Sequence, residues 1–185
     1  MPEGQHENYF TELLKLAVVA AIIIFPIRLF VAQPFIVSGA SMDPTFASGQ
    51  YLIVDELSYR FETPERGDVI IFHYPKDPKQ FFIKRIIGLP NETVHIGNGS
   101  VSVTTAEGKT ITLDESYVKN IGNGNSVDRK VGTDEYFVMG DNRPESSDSR
   151  TWGLLPKANI VGRAFLRLLP TDTISIWPGS INQQQ

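Results

Sequence analysis

Ser41 and Lys84 are the residues whose types and settings could do chemistry together. Ser41 lies in the turn-like segment SGASMDPTF, close behind an apolar run. Lys84 lies inside FFIKRII, where apolar residues flank a Lys-Arg pair. A serine hydroxyl attacks poorly until a base takes its proton. A lysine amine can be that base only when its pKa falls, and burial among apolar groups lowers it. A third segment, GDNRPESSDSR at 140–150, is dense in side chains that orient other side chains. The combination points to a serine hydrolase with a lysine base.

Each feature also has a plainer reading. Ser41 beside Asp43-Pro44 could be an ordinary turn serine. Gly39 and Ala40 nevertheless leave the backbone unobstructed, and N–H groups in such a turn could face a developing oxyanion. In a strand, Phe82, Lys84 and Ile86 share one face, and Ile83, Arg85 and Ile87 share the other. Both faces are apolar, so at least one cation must be buried or sit at a rim. The alternative is an edge strand from which both charges snorkel. A buried arginine needs an anion, whereas a buried lysine can shed its proton. The 140–150 segment could be a solvated loop, but it follows the apolar run EYFVM directly, and Asp148 could pair with nearby arginines. His6, His73 and His95 are scattered and have no metal-like spacing, so no metal or cofactor is expected.

The elements that must position these residues read as short strands. Runs rich in Val, Ile, Phe, Tyr and Thr fall at 35–38, 51–55, 68–74, 81–87, 92–96, 100–104, 110–113, 135–139, 159–168 and 173–177. Breakers such as Asp43-Pro44, Gly67-Asp68, Pro90-Asn91 and Gly97-Asn98-Gly99 separate them. No long amphipathic helix follows residue 34. The fold class expected is mainly β, an antiparallel catalytic domain over 33–185. A small β insertion at about 97–134, rich in Gly, Asn, Ser and Thr, reads as a solvent-facing lobe. Ahead of it, a polar tail at 1–12 precedes LLKLAVVAAIIIFPIRLFVA at 13–32, read as an N-terminal transmembrane helix. A span needs about 20 apolar residues, and this stretch reaches that only if Lys15 and Arg28 snorkel. A cleaved signal peptide and a buried core helix are the other readings.

The chain has 185 residues, 41% hydrophobic and 21% charged, with a net charge of −4. That balance disfavours nucleic acid as a partner. Cysteine is absent, which removes disulfides, thiolate metal sites and a cysteine nucleophile.

Four ordered boxes resemble the type I (leader) signal peptidases, membrane-anchored serine-lysine proteases, and in particular their single-anchor branch. SGASMDPT resembles the serine box. RGDVIIF at 66–72, KRIIGLPNETV at 84–94 and GDNRPESSDSR at 140–150 resemble the three that follow. The resemblance implies that Ser41 is the nucleophile and Lys84 the general base. It implies that Ser146 orients the Lys84 amine, and that Asp148 with Arg150 and Arg85 braces the site. A hydroxyl that helps the oxyanion hole in enterobacterial members is replaced here by Gly39, so the hole is expected to rest on the Ser41 backbone N–H and its loop. Val37, Met42, Phe46, Phe82 and Ile83 are expected around shallow pockets that admit small residues such as Ala at −1 and −3.

The function expected is removal of signal peptides from exported preproteins, with preproteins and the lipid bilayer as partners and room for export machinery. The location expected is the plasma membrane, single-pass, with the catalytic domain on the extracytoplasmic side, or an organelle membrane such as the thylakoid. A dedicated maturation peptidase of one organelle or secretion system is a narrower alternative. A membrane-tethered β-domain that binds exported chains without cutting them is a non-catalytic one. The self-cleaving repressors also use Ser and Lys, but the apolar N-terminal run and the lack of a DNA-binding domain argue against them.

Overall fold

A computed structural model describes residues 9–30, 32–97, 99–121 and 126–181 of the chain. Most of the expected polar tail at 1–12, Val31 of the apolar run, and parts of the expected lobe (98 and 122–125) lie outside the described residues, as does the C-terminal glutamine run.

The apolar N-terminal stretch forms a helix, α1 (Tyr9–Phe30). Among the described residues no helix is long and apolar enough to cross a membrane, which overturns the transmembrane helix expected at 13–32. A span needs about 20 predominantly apolar residues. Here the unbroken apolar run goes only from Leu16 to Phe25, between Lys15 and the Pro26–Arg28 stretch. Lys15 instead pairs with Glu12 at 2.8 Å in the open. The core-helix reading fares no better. Leu13, Leu14, Leu16, Val18, Val19 and Ile22 are all exposed.

Beyond α1 the chain is antiparallel β, as its alternation and turn residues predict. The main sheet runs in the order β1 (Ala32–Ile36), β2 (Tyr51–Asp55), β11 (Ile160–Leu169), β3 (Val69–Tyr74), β4 (Asp77–Gly88), β9 (Glu135–Met139) and β10 (Leu155–Pro156). β12 (Ser175–Ile176) pairs with β11. A second sheet runs in the order β7 (Thr110–Thr112), β6 (Ser100–Thr104), β5 (Thr93–Gly97) and β8 (Val127–Lys130). The first strand lies earlier than 35–38, and β8 and β10 were not foreseen. β8 is the polar run VDRK, whose partner across the ladder is β5.

The expected lobe is less solvent-facing than its composition suggests. Its sheet begins at Thr93, and one face is core: Val94, Val101, Val103, Leu113 and Val131 pack with Ile87, Phe137 and Met139 of the main sheet. Two further clusters fill the main sheet. Val37, Met42, Phe46, Leu52, Val54, Val69 and Ile71 form one, and Ile70, Phe72, Ile86, Tyr136, Val138 and Leu155 the other. Adjacent residues of β3 thus belong to opposite clusters. The end of β4 that carries Lys84 and Arg85 is likewise buried on both faces. The edge-strand reading, with both cations snorkelling, does not hold, because β4 lies between β3 and β9.

Candidate active site

Ser41 sits in the loop between β1 and β2. That loop closes through Asp43 N–H donating to the Ala40 carbonyl at 3.1 Å and Phe46 N–H to the Met42 carbonyl at 2.9 Å. Met42 and Phe46 plunge into the core as anchors, and Ser41 stays half-buried beside them. Gly39 turns the chain at φ +91°, in the left-handed region that favours glycine, and nothing lies within 4 Å of where a Cβ would stand. The turn is therefore open around the Gly39 Cα. The Gly39 N–H is occupied by a long 3.3 Å bond to the Ser48 hydroxyl, so Gly39 contributes openness rather than a free donor.

Lys84 reaches this loop from β4. Its Nζ lies 2.7 Å from Ser41 Oγ and 2.8 Å from the Ile83 carbonyl oxygen. The amine stands 5.4 Å from the Phe82 ring centroid, and the residue is only 4% exposed. Burial lowers its pKa to about 8, against an upward pull from Asp148 and Asp141. An ammonium at Nζ donates to Oγ. A neutral amine at the same distance accepts the Ser41 proton instead, which is the geometry a base needs.

Arg85, the neighbour of Lys84, is fully buried and does have an anion. The anion is Asp141, while Asp148, expected to brace the site together with Arg150 and Arg85, pairs with Arg150. Arg85 Nε donates to Asp141 Oδ1 at 2.9 Å and Nη2 to Oδ2 at 2.6 Å, a bidentate pair. Nη1 donates to the carbonyls of Gly67 and Gly179, and Tyr117 lies 4.1 Å from the guanidinium. Asp141 Oδ2 also accepts from Thr45 Oγ1 at 2.6 Å. One carboxylate thus ties the strand of the lysine to the loop of the serine. Asp141 was visible only as one of two aspartates in its segment, and spacing does not say which faces Arg85.

Asp148 has a different task. It accepts from Arg150 Nε and Nη2 at 2.8 and 2.7 Å, from the Arg150 N–H, and from the Gly140 N–H at 3.0 Å. It caps the short helix α2 (Ser149–Trp152) and shapes its own segment. The segment then grips the serine loop: the Asn142 N–H donates to the Ser41 carbonyl at 3.1 Å and Asn142 Nδ2 to the Ala40 carbonyl at 3.0 Å. Gly140 makes that approach feasible. A Cβ there would stand 2.3 Å from both the Ser41 carbonyl oxygen and Ser146 Oγ.

Ser146 is therefore close to the Ser41 backbone, but its buried hydroxyl has no hydrogen-bond partner. The second acceptor of the Lys84 amine is the Ile83 carbonyl, not Ser146. Of the expected pocket residues, Val37, Phe82 and Ile83 line a cleft of about 390 Å³ beside Ser41 and Lys84. Met42 and Phe46 do not line it. They are core, because the loop needs anchors of their size. The lining residues missed include Phe35, Ile36, Phe81, Glu145 and Ser147. Neither described histidine reaches Ser41. His73 bonds the Pro78 carbonyl, and His95 bonds Asp128 and Thr104 on the second sheet.

Comparison with known proteins identifies the family. A family described as "Signal peptidase, peptidase S26" matches residues 10–169. A protein of Synechocystis sp. named "Probable signal peptidase I-2" is 40% identical over 180 residues, covering 94% of this chain and 80% of that one. "Signal peptidase I" of Leptolyngbya laminosa is 37% identical, covering 87% of this chain and 80% of the relative. "Signal peptidase I P" of Bacillus subtilis subsp. natto is 34% identical, covering 93% and 96%.

Proposed function

The chain belongs to the signal peptidase family, peptidase S26, a serine peptidase that removes signal peptides from preproteins, and on that premise we propose that Ser41 and Lys84 carry its chemistry. The observation that carries this reading is the 2.7 Å approach of a buried lysine amine to a serine hydroxyl at the end of a cleft. Neutral Lys84 takes the Ser41 proton as Oγ attacks the carbonyl carbon of residue −1. The oxyanion that forms faces the Ser41 backbone N–H and the open turn at Gly39. The tetrahedral intermediate collapses to an acyl-enzyme, and the Lys84 ammonium gives its proton to the departing amine. Water then enters, Lys84 takes one of its protons, and the hydroxide attacks the ester. The Lys84 ammonium returns that proton to Ser41 Oγ as the ester bond breaks, and the signal peptide leaves as a carboxylic acid that gives its proton to solvent.

The brace belongs to the same proposal. Arg85–Asp141–Thr45 holds strand and loop in register, while Asp148 and Arg150 shape the segment that grips Ser41 from behind. The substrate lies extended between the Phe35–Ser41 wall and the Gln80–Lys84 wall, its alternate side chains entering the cleft. Val37, Phe82 and Ile83 crowd the nucleophile, so small residues are favoured at −1 and −3. The catalytic unit is the β portion, residues 33–185. It works at a membrane surface on the side to which preproteins are exported. Ile36 and Phe81 stand exposed at the cleft, where an apolar interface would receive them.

The test is incubation of purified protein with a preprotein bearing an Ala-X-Ala site, with Ser41→Ala alongside. The wild type should cut once, after the second Ala. Cutting by Ser41→Ala at the wild-type rate would overturn the assignment of the nucleophile.

A further inference from the structure

The cleft has a direction. Its two walls meet at one end through the Phe35 and Phe81 rings, 5.2 Å apart. At the other end Ser41 and Lys84 meet at 2.7 Å. A third element closes in at the Ser41 end, where the 140–150 segment contributes Glu145 and Ser147 to the lining. Its place is set by the Asn142 bonds to the Ser41 and Ala40 carbonyls, and the Glu145 N–H donates to the Asn142 carbonyl at 3.2 Å. Residues before the cut lie between the two walls, so the chain after the cut must leave past Ser41, beside Glu145.

Lys84 and Glu145 are the charged residues of the cleft lining among the described residues. Lys84 is neutral in its working form, so in the reacting enzyme the charge left in the cleft lining is the Glu145 carboxylate. Glu145 is exposed and enters none of the ion pairs among the described residues.

We propose that Glu145 is a specificity-determining residue for the first residues after the cut, favouring basic and disfavouring acidic side chains there. This rests on the function proposed above. An exposed charge changes binding by about 1.4- to fivefold, so matched substrates with Lys and Glu should differ by a few-fold, about fourfold. The contact is solvated, so salt should weaken it.

The experiment uses preproteins identical up to −1, carrying Lys, Gln or Glu at +1 and, separately, at +2. The readout is the ratio of kcat/KM for the Lys and Glu substrates. In wild type it should be about fourfold at one or both positions and fall towards one in 0.5 M NaCl, a concentration that cuts the screening length to about 4–5 Å. In Glu145→Gln it should fall to about one at low salt, and in Glu145→Lys it should invert. Equal ratios in wild type and Glu145→Gln at both positions would overturn the proposal. Cleavage of the Gln substrates separates this from the parent reading. If they are cut in a Ser41-dependent way while the ratio ignores residue 145, only the role of Glu145 fails. If they are not cut at all, the proposed function fails with it.

Discussion

Lys84 occupies a position where function and stability pull in opposite directions. Burial holds its pKa at about 8, below the ordinary lysine value of 10.5. The base works neutral, so kcat/KM should climb as pH rises through about 8 and fall below it as Lys84 takes a proton. A limb near the ordinary lysine value would mean that Lys84 is not the base. Lys84→Arg should be inactive at every pH, because a guanidinium keeps its proton. Between about pH 8 and 10.5 the unfolded chain holds a proton on this residue that the folded chain does not, so stability rises with pH across that window. At pH 7 both states are charged, and the folded state bears the desolvation. Lys84→Met should therefore abolish cleavage yet stabilise the fold at pH 7, because it removes a buried charge. Chemical denaturation at pH 7 checks the sign, and a destabilised Lys84→Met would count against a charged buried lysine.

At the level of elements, the site is an agreement among three pieces of chain: the β1–β2 loop, β4 and the segment after β9. Asp141 is where they are tied together, through Arg85 on β4 and Thr45 on the loop. Asp141→Asn removes the anion while Arg85 stays fully buried. Breaking such a pair costs about 3–5 kcal/mol, because the remaining charge has no partner. The loss should show in denaturant midpoints and, in protein that still folds, in a lower kcat, since the Ser41 loop loses its tether. Asp141→Asn of wild-type stability would remove the tie from the account. Asp148→Asn leaves its segment less well capped but does not strand Arg85, so the two aspartates should differ in stability although they look alike in the sequence. The connection between β7 and β8 joins the same agreement. Glu115 pairs with Arg143, whose Nε donates to the Gly140 carbonyl, and Tyr117 covers Arg85.

For the whole molecule, the three core clusters are built from the β portion, while the described side chains of α1 up to Ile22 stand almost entirely outside them. A protein starting at Ala32 keeps β1 and its full register with β2. It should fold, show a β-type circular dichroism spectrum and cleave in a Ser41-dependent way. Failure to fold would mean that α1 packs against the β portion more than its exposed side chains indicate.

Strand alternation, turn residues and the four ordered boxes were legible in the sequence because they are local: a side-chain period of two and a Gly or Pro break need no partner to be read. The strand runs at 51–55, 100–104 and 135–139 and the pairing of Ser41 with Lys84 through the family resemblance come from that level. β8 was not legible, since VDRK becomes a strand only because β5 offers it a ladder. The span expected at 13–32 fails for a reason also written locally: Lys15, Pro26 and Arg28 confine the unbroken apolar run to Leu16–Phe25. Tertiary structure alone decided the rest. It paired Arg85 with Asp141, left the Ser146 hydroxyl without a partner, sent Met42 and Phe46 into the core and brought Glu145 to the cleft. Each of these depends on residues far apart in the chain and on how strands and loops pack. Composition and spacing say which residues can make such contacts, and only packing selects the ones that form.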